Sequence, residues 1–242
     1  MASKSENIYI SKETIKRLAK DVKDIYKNPL EEHGIYYIHD EDDILKGQAL
    51  IIGPKNTPYS YGNYLFTFKY PSNYPFSPPI VTYYTNDGLT RFNPNLYKNG
   101  KVCISILNTW KGPQWTSCQT ISSILLCICA SVMNDTPLLN EPGITNNHED
   151  YNNYNKIINY KNYEIAIAEV ISNNKYKLNF PKLHSIICEN FLKNYENIII
   201  NLNSNLIFDN EEIEINIYRM KVKTTFKNIK NKIENIYKLL KN

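Results

Sequence analysis

The sequence predicts an α+β fold: a four-stranded antiparallel meander flanked by helices, followed by a helical C-terminal extension. Two patterns carry that expectation. Between Ile35 and Tyr84 lie four short runs of branched and aromatic residues, divided by Pro, Gly, Asn and Asp, as in strands joined by tight turns. Before residue 28 and after residue 120, apolar residues recur at helical spacing instead. Size agrees, since 242 residues at 42% hydrophobic and 21% charged suffice for one large domain, or a domain plus an extension.

Residues 1–10 read as a flexible arm. Ser11 opens a helix in which Ile15, Leu18, Val22 and Ile25 share a face, and Asn28-Pro29 stops it. The strand runs are Ile35–Ile38, Leu45–Ile52, Tyr64–Tyr70 and Ile80–Tyr84. Residues 85–119 show no sustained period, and a long irregular segment in a compact domain points to function. Ile121, Ile124, Leu125, Ile128 and Val132 form another helical face, ended by Pro137 and Pro142-Gly143. A long helix is expected over Tyr151–Ile171. The polar stretch Asn173–Asn179 marks a boundary between a domain at 11–172 and an extension at 173–242. The extension reads as helical over 181–200 and 211–240, with a loop around 201–210. Its seam of Val222, Phe226, Ile229, Ile233, Ile236 and Leu240 is expected to pack intramolecularly, on Phe191, Tyr195 and Ile199 or on the 151–171 helix.

Composition excludes several classes. The formal net charge of +4 is too mild to argue for a nucleic-acid partner. No run of 18 apolar residues predicts a membrane span, and the N-terminus has no apolar signal core. Five Cys without a disulfide-framework spacing indicate a reducing compartment, cytoplasm or nucleus. The charge is uneven: residues 151–242 hold 14 Lys+Arg against 9 Asp+Glu, and residues 1–150 hold 14 against 15.

Cys118, Cys127, Cys129 and Cys188 lie in or beside helical patterns and read as small core residues. Cys103 differs, because it sits in the irregular segment, where function concentrates. Gly100 permits a turn before it, Lys98 and Lys101 would favour a thiolate, and the Asn95 amide lies eight residues upstream. On these grounds alone, a reactive and a buried thiol are equally compatible. A cysteine protease is disfavoured, since none of His33, His39, His148 and His184 flanks Cys103 or carries a protease signature. Zinc is disfavoured too, because Cys127-x-Cys129 lacks paired ligand spacing. No metal or cofactor site is expected.

Ordered motifs then sharpen the reading. Gln48 to Pro54, Thr57-Pro58-Tyr59 before Tyr61-Gly62, the proline-rich stretch Tyr70 to Pro79, Asn93-Pro94-Asn95, Cys103 eight residues after Asn95, and Trp115 before the 121–133 helix together resemble the catalytic core of a ubiquitin-conjugating enzyme. Asn93 in place of the family's His, the Asn108–Pro113 insertion and Asn140-Glu141-Pro142-Gly143 are similar to the Z-type subgroup. That subgroup also carries a helical C-terminal extension.

The resemblance implies the ubiquitin-conjugating fold and a transthiolation enzyme without metal or cofactor. Cys103 would accept ubiquitin or a ubiquitin-like modifier from an activating enzyme, for the Z type the alternative one. It would pass the modifier to a substrate lysine or a ligase. Asn95 would stabilise the oxyanion or hold the loop. Asn93 would act structurally. Ser105 and Thr136 stand where many relatives have Asp on the acceptor side, and the neighbouring Asp135 is the candidate substitute. Lys16, Arg17 and Lys20 match the face that meets the activating enzyme, and Phe76, Ser117 and Cys118 match positions that ligases contact. Trp110 is the expected anchor of the insertion. A non-catalytic module of the same fold would lack the cysteine, and the sequence does not choose between ubiquitin and another modifier.

Overall fold

The computed structural model describes residues 10–241. The arm expected at 1–10 lies, apart from Ile10, outside the described residues. Helix α1 (Lys12–Lys27) starts at Ser11, whose hydroxyl accepts the Thr14 N–H at 3.0 Å. Its buried face is Thr14, Leu18, Asp21 and Ile25, while Ile15, expected inside, is 41% exposed. Polar docking explains the shift. Thr14 Oγ1 donates to the Ser72 carbonyl at 2.8 Å, and Asp21 accepts the Tyr74 hydroxyl at 2.5 Å.

Strands β1 (Ile35–His39), β2 (Lys46–Ile52), β3 (Asn63–Lys69) and β4 (Ile80–Tyr83) form an antiparallel sheet in sequence order, the predicted meander. In the register, Leu50 lies between Tyr36 and Leu65, and Ile51 lies between Ile35 and Tyr64. Alternation sends these rows to opposite faces. On one face Ala49, Ile51 and Phe66 join Leu18 of α1, Ile124 of α2 (Ile121–Cys127) and Ile157 of α3 (Tyr151–Lys161). On the other, Leu50 and Leu65 join residues of the C-terminal extension.

The helix expected over 151–171 is continuous: α3 passes through a π-helical segment, Asn162–Glu169, into α4 (Val170–Ser172). Buried side chains on the sheet side engage this segment. Asn63 donates to the Ala166 carbonyl at 2.9 Å, and the Tyr64 hydroxyl donates to Asn162 at 2.7 Å. A side chain held in the ladder is one recognised source of such irregularity.

Two expectations for the extension change. The polar stretch at 173–179 is mostly helix α5 (Asn174–Asn179), and α6 (Pro181–Asn205) runs further than expected, into a 3₁₀ turn at Leu206–Phe208. The helix expected from residue 211 is instead a hairpin, β5 (Glu212–Ile215) and β6 (Met220–Lys223), followed by α7 (Phe226–Lys241). Glu-Ile-Glu-Ile has period two, and Ile213 and Ile215 bury their side chains while the glutamates face out. Both expected partners of the α7 seam are present. Tyr195 of α6 stacks on Tyr237 at 3.7 Å between ring centres, and Tyr160 of α3 meets Phe226 edge-on at 5.2 Å. No described helix is long and apolar enough to cross a membrane.

Candidate active site

The segment between β4 and α2 is irregular because its backbone bonds go to side chains and to itself. Gly100 turns at φ +88°, and a Cβ there would stand 2.8 Å from the Tyr83 carbonyl oxygen. Its own carbonyl accepts the Tyr83 N–H at 2.7 Å, which fixes the segment to β4. Cys103 and Asn95 then form a reciprocal pair. The Cys103 N–H donates to the Asn95 carbonyl at 2.9 Å, and Asn95 Nδ2 donates to the Cys103 carbonyl at 2.6 Å. Cys103 is 2% exposed and Asn95 6%. A primary amide carries two N–H donors, so Asn95 can hold the loop with one and offer the other to an oxyanion.

Asn93 is fully buried and lies at a junction. Its Nδ2 donates to the Tyr59 hydroxyl at 3.0 Å and the Val132 carbonyl at 2.7 Å; its Oδ1 accepts the Asn95 N–H at 2.9 Å and Asn140 Nδ2 at 3.3 Å. Burial holds the Tyr59 phenol well above its usual pKa, although the Asn93 hydrogen bond pulls the other way. Asn140 Oδ1 accepts Asn134 Nδ2 at 3.0 Å, and Asn134 Oδ1 accepts the Thr136 N–H at 3.0 Å. A ladder of amides thus joins Cys103 to the loop carrying Asp135 and Thr136. Asp135 is exposed, and its backbone carbonyl accepts Asn155 Nδ2 at 3.2 Å.

Ser105 opens a 3₁₀ turn, Ser105–Leu107, and lies against Gly112 of the insertion. The anchor of that insertion is Thr109, not Trp110. Thr109 Oγ1 accepts the Ile104 N–H at 3.0 Å and lies 3.1 Å from the carbonyls of both Val102 and Ile104. A single hydroxyl therefore brackets the backbone on both sides of Cys103. A short hydroxyl can match backbone groups where an indole offers one donor. Lys98, expected to favour a thiolate, donates instead to the Tyr218 carbonyl at 3.1 Å, and Lys101 faces the Tyr97 ring at 5.9 Å. The thiol–imidazole contact described in the structure, Cys188 Sγ to His184 Nδ1 at 3.6 Å, belongs to α6. Burial pushes the Cys188 thiol up, the opposite of activation.

The surface positions divide. Lys16 and Lys20 are exposed, as are Ser117 and Cys118, and Phe76 is 65% exposed. Cys118 is therefore a surface thiol rather than a packing residue. Arg17, on the same helix face, is tied down. It pairs with Asp21 at 2.9 Å and donates to the carbonyls of Ser117 and of Gln119. Burial alone would lower its pKa, but the bonded Asp21 carboxylate raises it. Nearby, Trp115 Nε1 donates to the Pro75 carbonyl at 2.7 Å, holding the segment that displays Phe76.

Sequence reasoning missed Thr109, Asn140 as a bonding partner, and Arg91. The Arg91 guanidinium lies 3.3 Å from the Tyr97 ring centre and donates to the carbonyls of Asn93 at 3.2 Å and Pro94 at 2.6 Å. A lone Arg two residues before the motif gave the available signal.

A four-stranded meander with a cysteine and an asparagine paired on its outgoing loop defines a class. The family model of the ubiquitin-conjugating enzyme matches residues 17–162, and the chain belongs to that family. Among curated relatives, it is 40% identical over 195 residues to the ubiquitin-conjugating enzyme E2 Z of Danio rerio, covering 79% of this chain and 58% of that protein. It is 40% identical over 184 residues to the E2 Z of Homo sapiens, covering 74% and 50%. A probable ubiquitin-conjugating enzyme of Caenorhabditis elegans is 38% identical over 168 residues, covering 64% and 23%. The chain thus spans half to three-fifths of the length of the E2 Z relatives.

Proposed function

We propose that this chain carries ubiquitin, or a ubiquitin-like modifier, as a thioester on Cys103. The Cys103 thiolate attacks the modifier's thioester carbon on an activating enzyme, and that enzyme's thiolate leaves. A substrate lysine amine, or a ligase cysteine, then attacks the new thioester and expels the Cys103 thiolate. The amine gives up its proton as the isopeptide bond forms. A thiol suits this relay because its thiolate is both nucleophile and leaving group. Asn95 steadies the tetrahedral oxyanion, and Asp135, with Ser105 and Thr136 beside the approach, orients or deprotonates the amine. The reciprocal Asn95–Cys103 pair is the observation that best supports this reading.

In this proposal residues 11–172 carry out conjugation and 173–242 buttress them. The face of Lys16 and Lys20 meets the activating enzyme, of the alternative kind in view of the E2 Z likeness. Phe76, Ser117 and Cys118 meet a ligase. Arg17 serves that surface from behind, by holding the 117–119 loop. The setting is the cytoplasm or nucleus. The test mixes the chain with ATP, ubiquitin or another modifier, and each candidate activating enzyme. A thiol-sensitive adduct on a non-reducing gel, absent for Cys103→Ala, is expected; no adduct with any pairing overturns the proposal.

A further inference from the structure

The β5–β6 hairpin belongs to the extension, yet its tip lies among the loops around Cys103. Two N–H groups at the tip, of Asn216 and Ile217, donate to one buried Asp150 oxygen at 3.0 and 2.9 Å. This pair of hydrogen bonds to one carboxyl oxygen fixes the turn. Arg219 follows in the left-handed region at φ +50°, a strained conformation for a non-glycine residue. Between them Tyr218 faces three separate segments. Its hydroxyl donates to Glu141 Oε2 at 2.6 Å, next to Asn140 of the amide ladder. Its carbonyl accepts Lys98 Nζ at 3.1 Å. Its ring lies 5.2 Å from the Arg91 guanidinium, which itself holds the carbonyls of Asn93 and Pro94. Burial and the Glu141 hydrogen bond keep the phenol protonated well above its usual range, so the donor to Glu141 persists at any ordinary pH.

We propose that Tyr218 is a positioning residue for the reacting loop: the extension reaches back to hold Arg91 and Glu141, and through them the Asn93–Asn95 backbone opposite Cys103. Tyr218 touches neither thiol nor acyl group and acts through other side chains. Its consequence for transfer rests on the thioester reading above. A small displacement of Asn95 changes the geometry available to an oxyanion, and misplacement from a remote substitution is costly in rate.

The experiment compares the full chain with Tyr218→Ala, Tyr218→Phe and Lys232→Ala, a surface ion-pair control on α7 that bonds Glu169. Hydrogen exchange over residues 91–107 reads the loop independently of any modifier. Single-turnover discharge of the preloaded thioester to free lysine reads the chemistry, split into maximal rate and lysine KM. For Tyr218→Ala, exchange is expected to rise locally, and maximal discharge to fall on the order of tenfold with little change in KM or loading. Tyr218→Phe, which keeps the ring over Arg91, should recover most of that loss. Unchanged exchange at 91–107, or a rise spread evenly over the chain, overturns the proposal, as does discharge equal to that of Lys232→Ala. Local exchange that rises in a chain no activating enzyme can charge supports the strut and overturns the thioester reading instead.

Discussion

The loop around Cys103 and the layer of α5–α7 behind the sheet are built by different physics. The loop is held by directional bonds from a few side chains: Asn93, Asn95, Thr109 and Arg91 each satisfy backbone groups that no strand or helix pairs. The rear layer is held by buried area, with Leu50 and Leu65 of the sheet against Tyr176, Leu183, Phe191 and Ile233. Non-directional burial tolerates substitution of one apolar residue by another of similar size. A directional network leaves a desolvated group unpaired when one member is lost. Substitutions in the rear layer should therefore change stability, and substitutions in the loop should change chemistry.

Ile233→Ala provides the strongest challenge to that division. Ile233 is fully buried in the rear layer, and its truncation should cost about 2–5 kcal/mol in chemical denaturation. Discharge per folded molecule should stay near wild type, and a parallel loss of discharge would break the comparison. Asn95→Ala tests the other side: lysine discharge should fall ~10²-fold, with loading less affected. Equal loss of loading and discharge would assign Asn95 to the loop's structure alone.

Thr109→Val sharpens the comparison. It leaves the Ile104 N–H without its acceptor, at a cost of about 1–3 kcal/mol concentrated in the loop. Local hydrogen exchange near Cys103 is expected to rise more than the melting temperature falls. The smallest effect concerns Asp87 on the loop after β4. Burial would raise its pKa, but the Thr90 and Leu89 N–H groups and the Lys161 ammonium hold it below the usual 3.8. A depressed carboxylate contributes stability above its unfolded pKa and loses it as pH falls through the folded one. Asp87→Asn should thus lower the melting temperature slightly at pH 7, and the gap should close as pH drops below 3.8. A constant gap would show that charge is not the cause.

The same contrast explains what the sequence made legible. The meander was readable because each run is bounded by turn residues, and its observed ends differ by a residue or so from those expected. Cys103 and Asn95 were readable as spaced motif residues. Their surroundings were not. Thr109 and Arg91 act on backbone groups a few residues away, and Asn140 acts on the Asn93 side chain across the fold; a hydrophobic period records neither kind of polar contact. The hairpin was missed for another reason. The strong seam from Phe226 to Leu240 extended a helical reading backward over Val222, while Glu212-Ile213-Glu214-Ile215 already alternated with period two. Its turn contains no glycine, since Arg219 takes the left-handed position usually left to one. The double covering of the sheet had a visible trace. The run Ala49-Leu50-Ile51-Ile52 is continuously apolar, as a strand buried on both faces requires.

Asn93 has one further consequence. A histidine at that junction would carry a proton equilibrium near neutrality, and each protonation would remove an acceptor from the network. The amide offers donors and an acceptor at once and never titrates. Acidification across the physiological range therefore has no direct handle on this junction, and any acid sensitivity of transfer would have to enter elsewhere.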